Sequence, residues 1–171
     1  TFWADLEPTE GNWNDTYLAD LRRILRDADG VGLRVVLTMH QDSYSPAVGG
    51  FGMPDWTTRT DGLVFDPNVP LPCLDPANQR AWEHFYEDED LQQFHVRAWE
   101  KMVDELGDEP ALFGYDILNE PSGQQRPGES IVEGLQRVAA TQITPMLQRA
   151  TDAIRGLDDL RWIFLEGAYG L

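Results

Sequence analysis

An amide, a carboxylate and a proline close a mostly apolar run of the chain. Asn119, Glu120 and Pro121 follow directly on residues 112–118. Such a run predicts a buried strand, and the proline marks its end because it cannot extend a sheet ladder. At the carboxyl end of a parallel strand, a Glu beside an Asn that can hydrogen-bond a sugar hydroxyl suits the general acid/base of a glycosidase. A Glu that caps a turn or helix is the alternative, and these residues alone leave both interpretations open.

A second polar cluster, His40, Gln41 and Asp42, closes another apolar run at 35–39. Neighbouring strands of a barrel lie about 4.8 Å apart, so the two clusters can share one pocket. Their pairing favours contacts of His40 and Asp42 with substrate hydroxyls, and an influence of both on the charge state of Glu120. The alternative is a buried histidine bonded to backbone and an aspartate that caps the next loop.

The spacing of His40 and Asp42 also suits a metal-dependent hydrolase that uses both as ligands. Such a site needs further nitrogen or carboxylate ligands, and the chain has only 3 histidines. His95 lies on an apolar helical face, where a core histidine is expected, and His84 lies in a short helical stretch. We therefore expect neither a metal nor a cofactor, and the metal-dependent hydrolase is retained as an alternative.

Aromatic side chains cluster in and beside an irregular, proline-rich segment at 43–79. Sugar rings stack on large, rigid aromatic rings, so Trp56 and Tyr86 are candidate substrate-binding residues. Packing of the loop onto the body of the protein is the alternative for at least half of these aromatics. The tryptophans at strand or helix positions are instead predicted to lie in the core: Trp3, Trp99 and Trp162.

Apolar periodicity places these candidates on alternating strands and helices. Strand-like runs occupy residues 1–4, 35–39, 112–118 and 161–165. Helical patterns occupy residues 17–28, 80–86, 91–106 and 129–155, the last with a bend expected at Pro145. The connection at 43–79 is longer than ordinary loops, and we expect it to be functional.

This alternation predicts an α/β fold with parallel strands joined by right-handed crossovers. No Gly-rich phosphate loop follows a strand, which disfavours a doubly wound sheet. Each predicted strand ends in polar or acidic residues, as at the active face of a barrel. We therefore predict a partial TIM (β/α)8 barrel, roughly its strands 2–5 with their helices. Since a full barrel takes about 250 residues, residues 1–171 are expected to form a single partial catalytic domain, truncated at both ends.

The charge balance restricts the partners of the chain. It has 30 acidic and 13 basic residues and a net charge of −17. Nucleic acid and anionic membranes are therefore disfavoured, whereas neutral sugars are compatible. No apolar run approaches the ~20 residues of a transmembrane helix. Cys73 is the only cysteine, which excludes intrachain disulfides. Oligomeric state and cellular location are left open, with a secreted or extracellular location favoured.

Four segments of the sequence resemble one known family. They are the patterns MHQDSYS at 39–45, PDW at 54–56, YDILNEP at 115–121 and W-x-x-x-E-P-x-x-G at 3–11. Together they resemble glycoside hydrolase family 5 of the cellulase-like clan, and within it the endoglycoceramidase-like and glucosylceramidase-like branch. The resemblance extends from residue 2 to about residue 165, and it implies a (β/α)8 barrel and a retaining mechanism on β-glycosides.

The resemblance also implies roles for individual residues. Glu120 matches the acid/base, and Asn119 matches the residue that contacts the sugar 2-hydroxyl. His40 and Asp42 match sugar-binding residues of the first subsite. Tyr86 falls where relatives carry an aromatic near the sugar. The expected substrate is a carbohydrate or a glycolipid such as a glycosylceramide.

The nucleophile of the family is a Glu on a later strand, which the resemblance places beyond Leu171, and Glu166 comes too early to match it. An arginine of the family would likewise precede Thr1. The fragment alone is therefore expected to be inactive. A non-catalytic carbohydrate-binding protein on a degenerate barrel is the alternative from another functional class.

Overall fold

The computed structural model describes residues 1–124, 126 and 128–168. Its helices are α1 (Trp3–Leu6), α2 (Asp15–Gly30), α3 (Pro76–Glu87), α4 (Glu89–Leu106), α5 (Ile131–Val138) and α6 (Thr144–Leu157). Its strands are β1 (Val35–Thr38), β2 (Leu112–Asp116) and β3 (Trp162–Phe164). Among the described helices, none combines the length and the apolar character needed to cross a bilayer.

The three strands form one parallel sheet in the order β1-β2-β3. Helices α3 and α4 connect β1 to β2, and α5 and α6 connect β2 to β3. Helix α4 packs on the middle strand, where Trp99 stacks edge-on against Tyr115 and its indole N–H donates to the Ile117 carbonyl at 3.1 Å. The predicted α/β fold with parallel strands is thus confirmed.

The N-terminal segment differs from the predicted strand at residues 1–4. Only Thr1 pairs with β1: its amino group donates to the Thr38 carbonyl, and its carbonyl accepts from the His40 N–H, both at 2.7 Å. Trp3 then begins the short helix α1. The Glu7 carboxylate stabilises α1 and the loop after it, because it accepts hydrogen bonds from the Trp3 indole at 2.8 Å and from the Gly11 N–H at 2.7 Å.

The long loop is shorter and more ordered than predicted. It ends at Asp75, whose carboxylate accepts from the Ala77 N–H at 2.8 Å and caps α3. Short 3₁₀ turns lie within it at Pro46–Val48, Asp55–Thr57 and Pro72–Leu74. Its apolar side chains Tyr44, Val48 and Met53 are buried in the main core. The first half of the loop is therefore part of the protein's body.

The helical pattern at 129–155 forms three segments rather than one bent helix. Ser130 and Glu133 form a capping box at the start of α5. A π-helical stretch, Ala139–Ile143, then separates α5 from α6. Pro145 lies in the first turn of α6, directly after this π-helical stretch. The irregularity thus falls just before the proline.

One face of the sheet is open to solvent in the described part of the chain. Val36, Gly114 and Trp162 are aligned across the three strands, and Trp162 is 64% exposed. The prediction that Trp162 lies in the core is therefore wrong, whereas Trp3 and Trp99 are fully buried. The Trp162 ring stacks on the ring of Phe113, which is itself exposed.

A buried carboxylate closes the other end of the sheet. Asp158 accepts hydrogen bonds from the Tyr115 hydroxyl at 2.8 Å, from the Leu160 N–H at 3.0 Å and from the Arg161 guanidinium at 3.1 Å. Burial alone would raise its pKa, but these hydrogen bonds outweigh it and lower the pKa of Asp158 to about 2. The ionised form is thus favoured by folding.

We expect Asp158→Asn to lower the free energy of unfolding of the intact protein by about 1–2 kcal/mol at pH 7. Because the folded-state pKa lies below the ordinary value of 3.8, this stability is present above pH ~4 and is lost as the pH falls towards ~2. Urea unfolding at several pH values measures it. The neighbouring, exposed Asp159→Asn is the matched control, and a difference between Asp158→Asn and wild type that persists unchanged at pH 2 would contradict the assignment.

Candidate active site

The carboxyl ends of the three strands meet at one edge of the sheet, where a cavity of about 680 Å³ opens. His40 and Asp42 follow β1, Asn119 and Glu120 follow β2, and Glu166 follows β3. Of these, the structure brings Asp42 and Glu120 together on the cavity wall. The remainder of the wall includes Gln41, Gly49, Gly50, Phe51, Leu71 and Cys73.

Asn119 is held by the end of β1. Its N–H donates to the Met39 carbonyl at 3.1 Å, which extends the parallel pairing beyond β2. Its side-chain amide donates to the Gln41 carbonyl at 3.0 Å, and the Gln41 side chain donates back to the Asn119 carbonyl at 2.9 Å. The Asn119 side-chain nitrogen therefore has a backbone partner, and its amide oxygen remains the group that can accept from a sugar hydroxyl.

Glu120 has an unusual backbone and an exposed side chain. Its φ is +45°, a left-handed conformation that is uncommon for residues other than glycine. Its N–H donates to the Glu166 carboxylate at 2.8 Å, and its carbonyl accepts from the Gln41 amide at 3.1 Å. Since strained backbone persists only where the surroundings hold it in place, these contacts fix a residue that lines the cavity.

Asp42 begins a loop at 42–51 that contributes to the cavity wall. Its backbone pairs with that of Phe51 through two hydrogen bonds of 2.9 and 2.8 Å, and the Ser43 hydroxyl donates to its carboxylate at 3.1 Å. The chain can close this loop because residue 50 is glycine: a Cβ there would lie 2.1 Å from the Ser43 carbonyl oxygen. The Asp42 carboxylate is exposed and can accept from a ligand.

His40 lies beside the cavity but does not line it. Its ring contacts Phe2 edge-on, with centroids 5.7 Å apart, and lies 6.3 Å from the Phe51 ring. The imidazole is half-buried. This aromatic packing orients the ring, and a role of His40 in sugar binding stays a prediction.

The two predicted substrate-binding aromatics lie behind the cavity walls. The Trp56 indole donates to the Glu7 carbonyl at 2.9 Å, and its ring packs on Trp3. Tyr86 is 7% exposed, and its hydroxyl donates at 2.6 Å to the carbonyl of Ser122, which does line the cavity. The structure does not bring either ring to the cavity surface, so their binding of substrate stays a prediction.

Asp116 was missed by the sequence reasoning. It is the half-buried carboxylate at the end of β2, and burial raises its pKa, with a further contribution from the negative charge of Glu166. Hydrogen bonding by Thr38 and the nearby charge of His40 act in the opposite direction. The sequence does indicate Asp116 as a candidate site residue, because it is an acidic residue inside an apolar strand. Asp116 therefore interacts with Glu166, the residue whose carboxylate accepts the Glu120 N–H.

Gln41 was likewise passed over, as the residue between two candidates. The structure shows it contacting both Asn119 and Glu120. As for metals, no group of three or more His, Cys, Asp or Glu side chains within residues 1–124, 126 and 128–168 is arranged to hold an ion.

Comparison with known proteins identifies the family. The model of the cellulase family, glycosyl hydrolase family 5, matches residues 2–170. An endoglycoceramidase from Hydra vulgaris is 26% identical to this chain, and the match covers 94% of the chain and 36% of the relative. A crystal structure of an endogalactoceramidase superposes with a TM-score of 0.85 at 32% identity, covering 98% of this chain and 39% of that one.

Endo-glycoceramidase II from Rhodococcus sp. is a third relative, solved as a lactosyl-enzyme intermediate and as a ganglioside GM3 complex. Both structures superpose with a TM-score of 0.83 at 28% identity and cover 96% of this chain and 39% of that one. The chain thus spans well under half the length of these relatives. Their fold confirms the predicted partial (β/α)8 barrel, and the match over residues 2–170 shows that the chain belongs to glycosyl hydrolase family 5.

Proposed function

We propose that residues 1–171 form part of the catalytic domain of a retaining β-glycoside hydrolase that acts on glycolipids, with Glu120 as the acid/base. The observation that carries this proposal is the placement of Glu120. It is exposed and lines a cavity at the carboxyl end of a parallel strand, and its backbone is held by Gln41 and Glu166. This is where barrel enzymes place their catalytic groups.

In the proposed reaction, protonated Glu120 donates its proton to the leaving oxygen while a second carboxylate attacks the anomeric carbon. Glu120 then deprotonates the water that releases the sugar. The relative solved as a lactosyl-enzyme intermediate supports a covalent, hence retaining, course. We do not assign the nucleophile to Glu166, because its carboxylate accepts the Glu120 N–H at 2.8 Å and serves that backbone.

The sugar and the aglycone are proposed to occupy different parts of the cavity. Asp42 and Asn119 supply acceptors for sugar hydroxyls, with His40 beside them. The long loop contributes apolar side chains to the same cavity, those of Leu71 and of Phe51, the backbone partner of Asp42; they are 50% and 46% exposed. Relatives named endoglycoceramidase and the ganglioside GM3 complex support a lipid aglycone.

The stereochemistry of the product tests this proposal. We expect the intact protein to release the sugar of lactosylceramide as the β-anomer first, which then mutarotates, because two displacements at one carbon retain its configuration. Proton NMR of the anomeric region during the first minutes measures it. The α-anomer as first product would exclude a retaining enzyme, and binding without turnover of any β-glycoside would favour the carbohydrate-binding alternative.

A further inference from the structure

We propose that Gln41 is a positioning residue for Glu120, acting through the peptide groups on both sides of the Glu120 Cα. The proposal rests on the proposed role of Glu120 as acid/base. Gln41 is 2% exposed, and its side chain extends from the end of β1 to the residues that follow β2. It therefore connects the two strand ends that contribute most of the candidate site.

Every polar hydrogen of the Gln41 side chain is directed at the backbone of the acid/base segment. Its amide nitrogen donates to the Asn119 carbonyl at 2.9 Å and to the Glu120 carbonyl at 3.1 Å. Its amide oxygen accepts from the Tyr44 N–H at 2.8 Å. A primary amide offers two N–H donors and an oxygen with two lone pairs, so this arrangement uses both donors and one of the lone pairs.

These bonds act on the direction in which Glu120 points. The carbonyls of residues 119 and 120 belong to the two peptide planes that flank the Glu120 Cα, and their orientations set its φ and ψ. With φ at +45°, this backbone is in a region of higher energy that relaxes when its partners are lost. The Glu166 carboxylate holds the Glu120 N–H, but only Gln41 is bonded to both carbonyls within the described part of the chain.

Gly52 packs closely against the backbone of Gln41. Residue 52 is glycine, and a Cβ there would lie 2.6 Å from the Gln41 Cα and 2.9 Å from its Cβ. The bond to Tyr44 also ties Gln41 to the loop that carries Asp42. Gln41 therefore connects the segment that carries Asp42 to the segment that carries Glu120.

The contacts also admit a purely structural interpretation, in which Gln41 only satisfies buried backbone groups. The two interpretations differ in which substrates are hydrolysed more slowly when Gln41 is replaced. A misplaced acid slows the departure of poor leaving groups, whereas it matters little for an activated aryloxide that leaves without a proton. A general loss of folded protein lowers both rates by the same factor.

The test uses Gln41→Glu and Gln41→Met in the intact protein. Both keep the length of the side chain and remove the two N–H donors, and Glu also places negative charge against two carbonyl oxygens. We expect kcat/KM for alkyl β-glucosides to fall about 10–100-fold, as for a catalytic group displaced by about 1 Å. The rate for 2,4-dinitrophenyl β-glucoside during glycosylation should change less than about threefold, with KM little altered.

Gln92→Glu is the matched control, since Gln92 is a buried glutamine (3% exposed) that donates to the Phe85 carbonyl away from the cavity. It should lower stability without altering the ratio of the two rates. If the Gln41 variants lose both activities in equal proportion, or if neither variant folds, Gln41 serves the fold alone and the proposal is overturned.

Glu120→Ala, assayed beside them, separates the two proposals. If Glu120→Ala shows no dependence on the leaving group, the proposed function itself fails. If it shows the dependence and the Gln41 variants do not, only the role of Gln41 is rejected.

Discussion

Replacing Glu120 with alanine in the intact protein is expected to slow hydrolysis of alkyl and lipid β-glycosides by about 10²–10⁴-fold. The reason is that a poor leaving group departs as an alkoxide unless an acid protonates it. For 2,4-dinitrophenyl β-glucoside, glycosylation should be nearly unaffected, and only the second step, in which Glu120 deprotonates water, should slow. Pre-steady-state kinetics on the activated substrate should therefore show a burst of dinitrophenol followed by a slow turnover.

Added azide provides a second test of the Glu120→Ala variant. Azide is a good nucleophile that needs no general base, and the space left by the side chain admits it. With the activated substrate it should restore part of the turnover and give a glycosyl azide of β configuration. Exposed Glu10, outside the cavity, provides the control variant Glu10→Ala, which should behave as wild type. Equal losses on both substrate types, with no azide product, would show that Glu120 is not the acid/base.

The strands and their order could be predicted because the signals are local. β-Branched and aromatic residues at 35–39 and 112–118, each closed by polar residues, indicate strands, and intervening helical patterns imply parallel pairing. The strand prediction for residues 1–4 was wrong because Phe2 and Trp3 favour strands, whereas in the folded chain the Trp3 indole and the Gly11 N–H both donate to the Glu7 carboxylate at the end of a short helix. Such contacts are set by the folded chain, not by propensity.

Only some residues of the candidate site could be predicted from the sequence. Glu120 and Asp42 could be found because an acidic residue after an apolar strand is conspicuous, and the cavity does bring them together. The role of Gln41 depends on which backbone groups of a distant strand end come within reach, and no pattern within 35–42 encodes that. Trp56 and Tyr86, in contrast, were predicted to bind substrate but do not line the cavity. The presence of aromatic residues near a loop does not show which ring faces the cavity.

The long loop contains core residues that its irregular, proline-rich sequence does not reveal. Exchanging residues 44–72 for a short linker would remove Tyr44 and Met53, which are fully buried in the main core. Removing them would test folding and not substrate binding. The residues that remain informative are the exposed apolar ones on the cavity wall, Phe51 and Leu71.

Leu71→Ser is expected to lower kcat/KM for a glycosylceramide about tenfold, and the double variant Phe51→Ser/Leu71→Ser about a hundredfold. Burial of one such side chain by an acyl or sphingoid chain contributes about 1.5–3 kcal/mol, and each 1.4 kcal/mol is a factor of about ten. Aryl β-glucosides need only the sugar subsite and should change less than about threefold with Leu71→Ser. Phe51 also contacts the ring of His40, so the double variant should affect both substrate classes to some degree.

Val64→Ser is the matched control, because Val64 is 89% exposed on the same loop and does not line the cavity. A short-chain fluorescent glycosylceramide that dissolves as a monomer separates binding in the cavity from adsorption to micelles, since adsorption would respond to Val64 as much as to Leu71. A selective loss with Leu71→Ser on the monomeric substrate places the lipid against this wall. Equal losses for glycosylceramide and aryl glucoside would mean that the wall serves the fold, and the glycolipid proposal would then rest on the relatives alone.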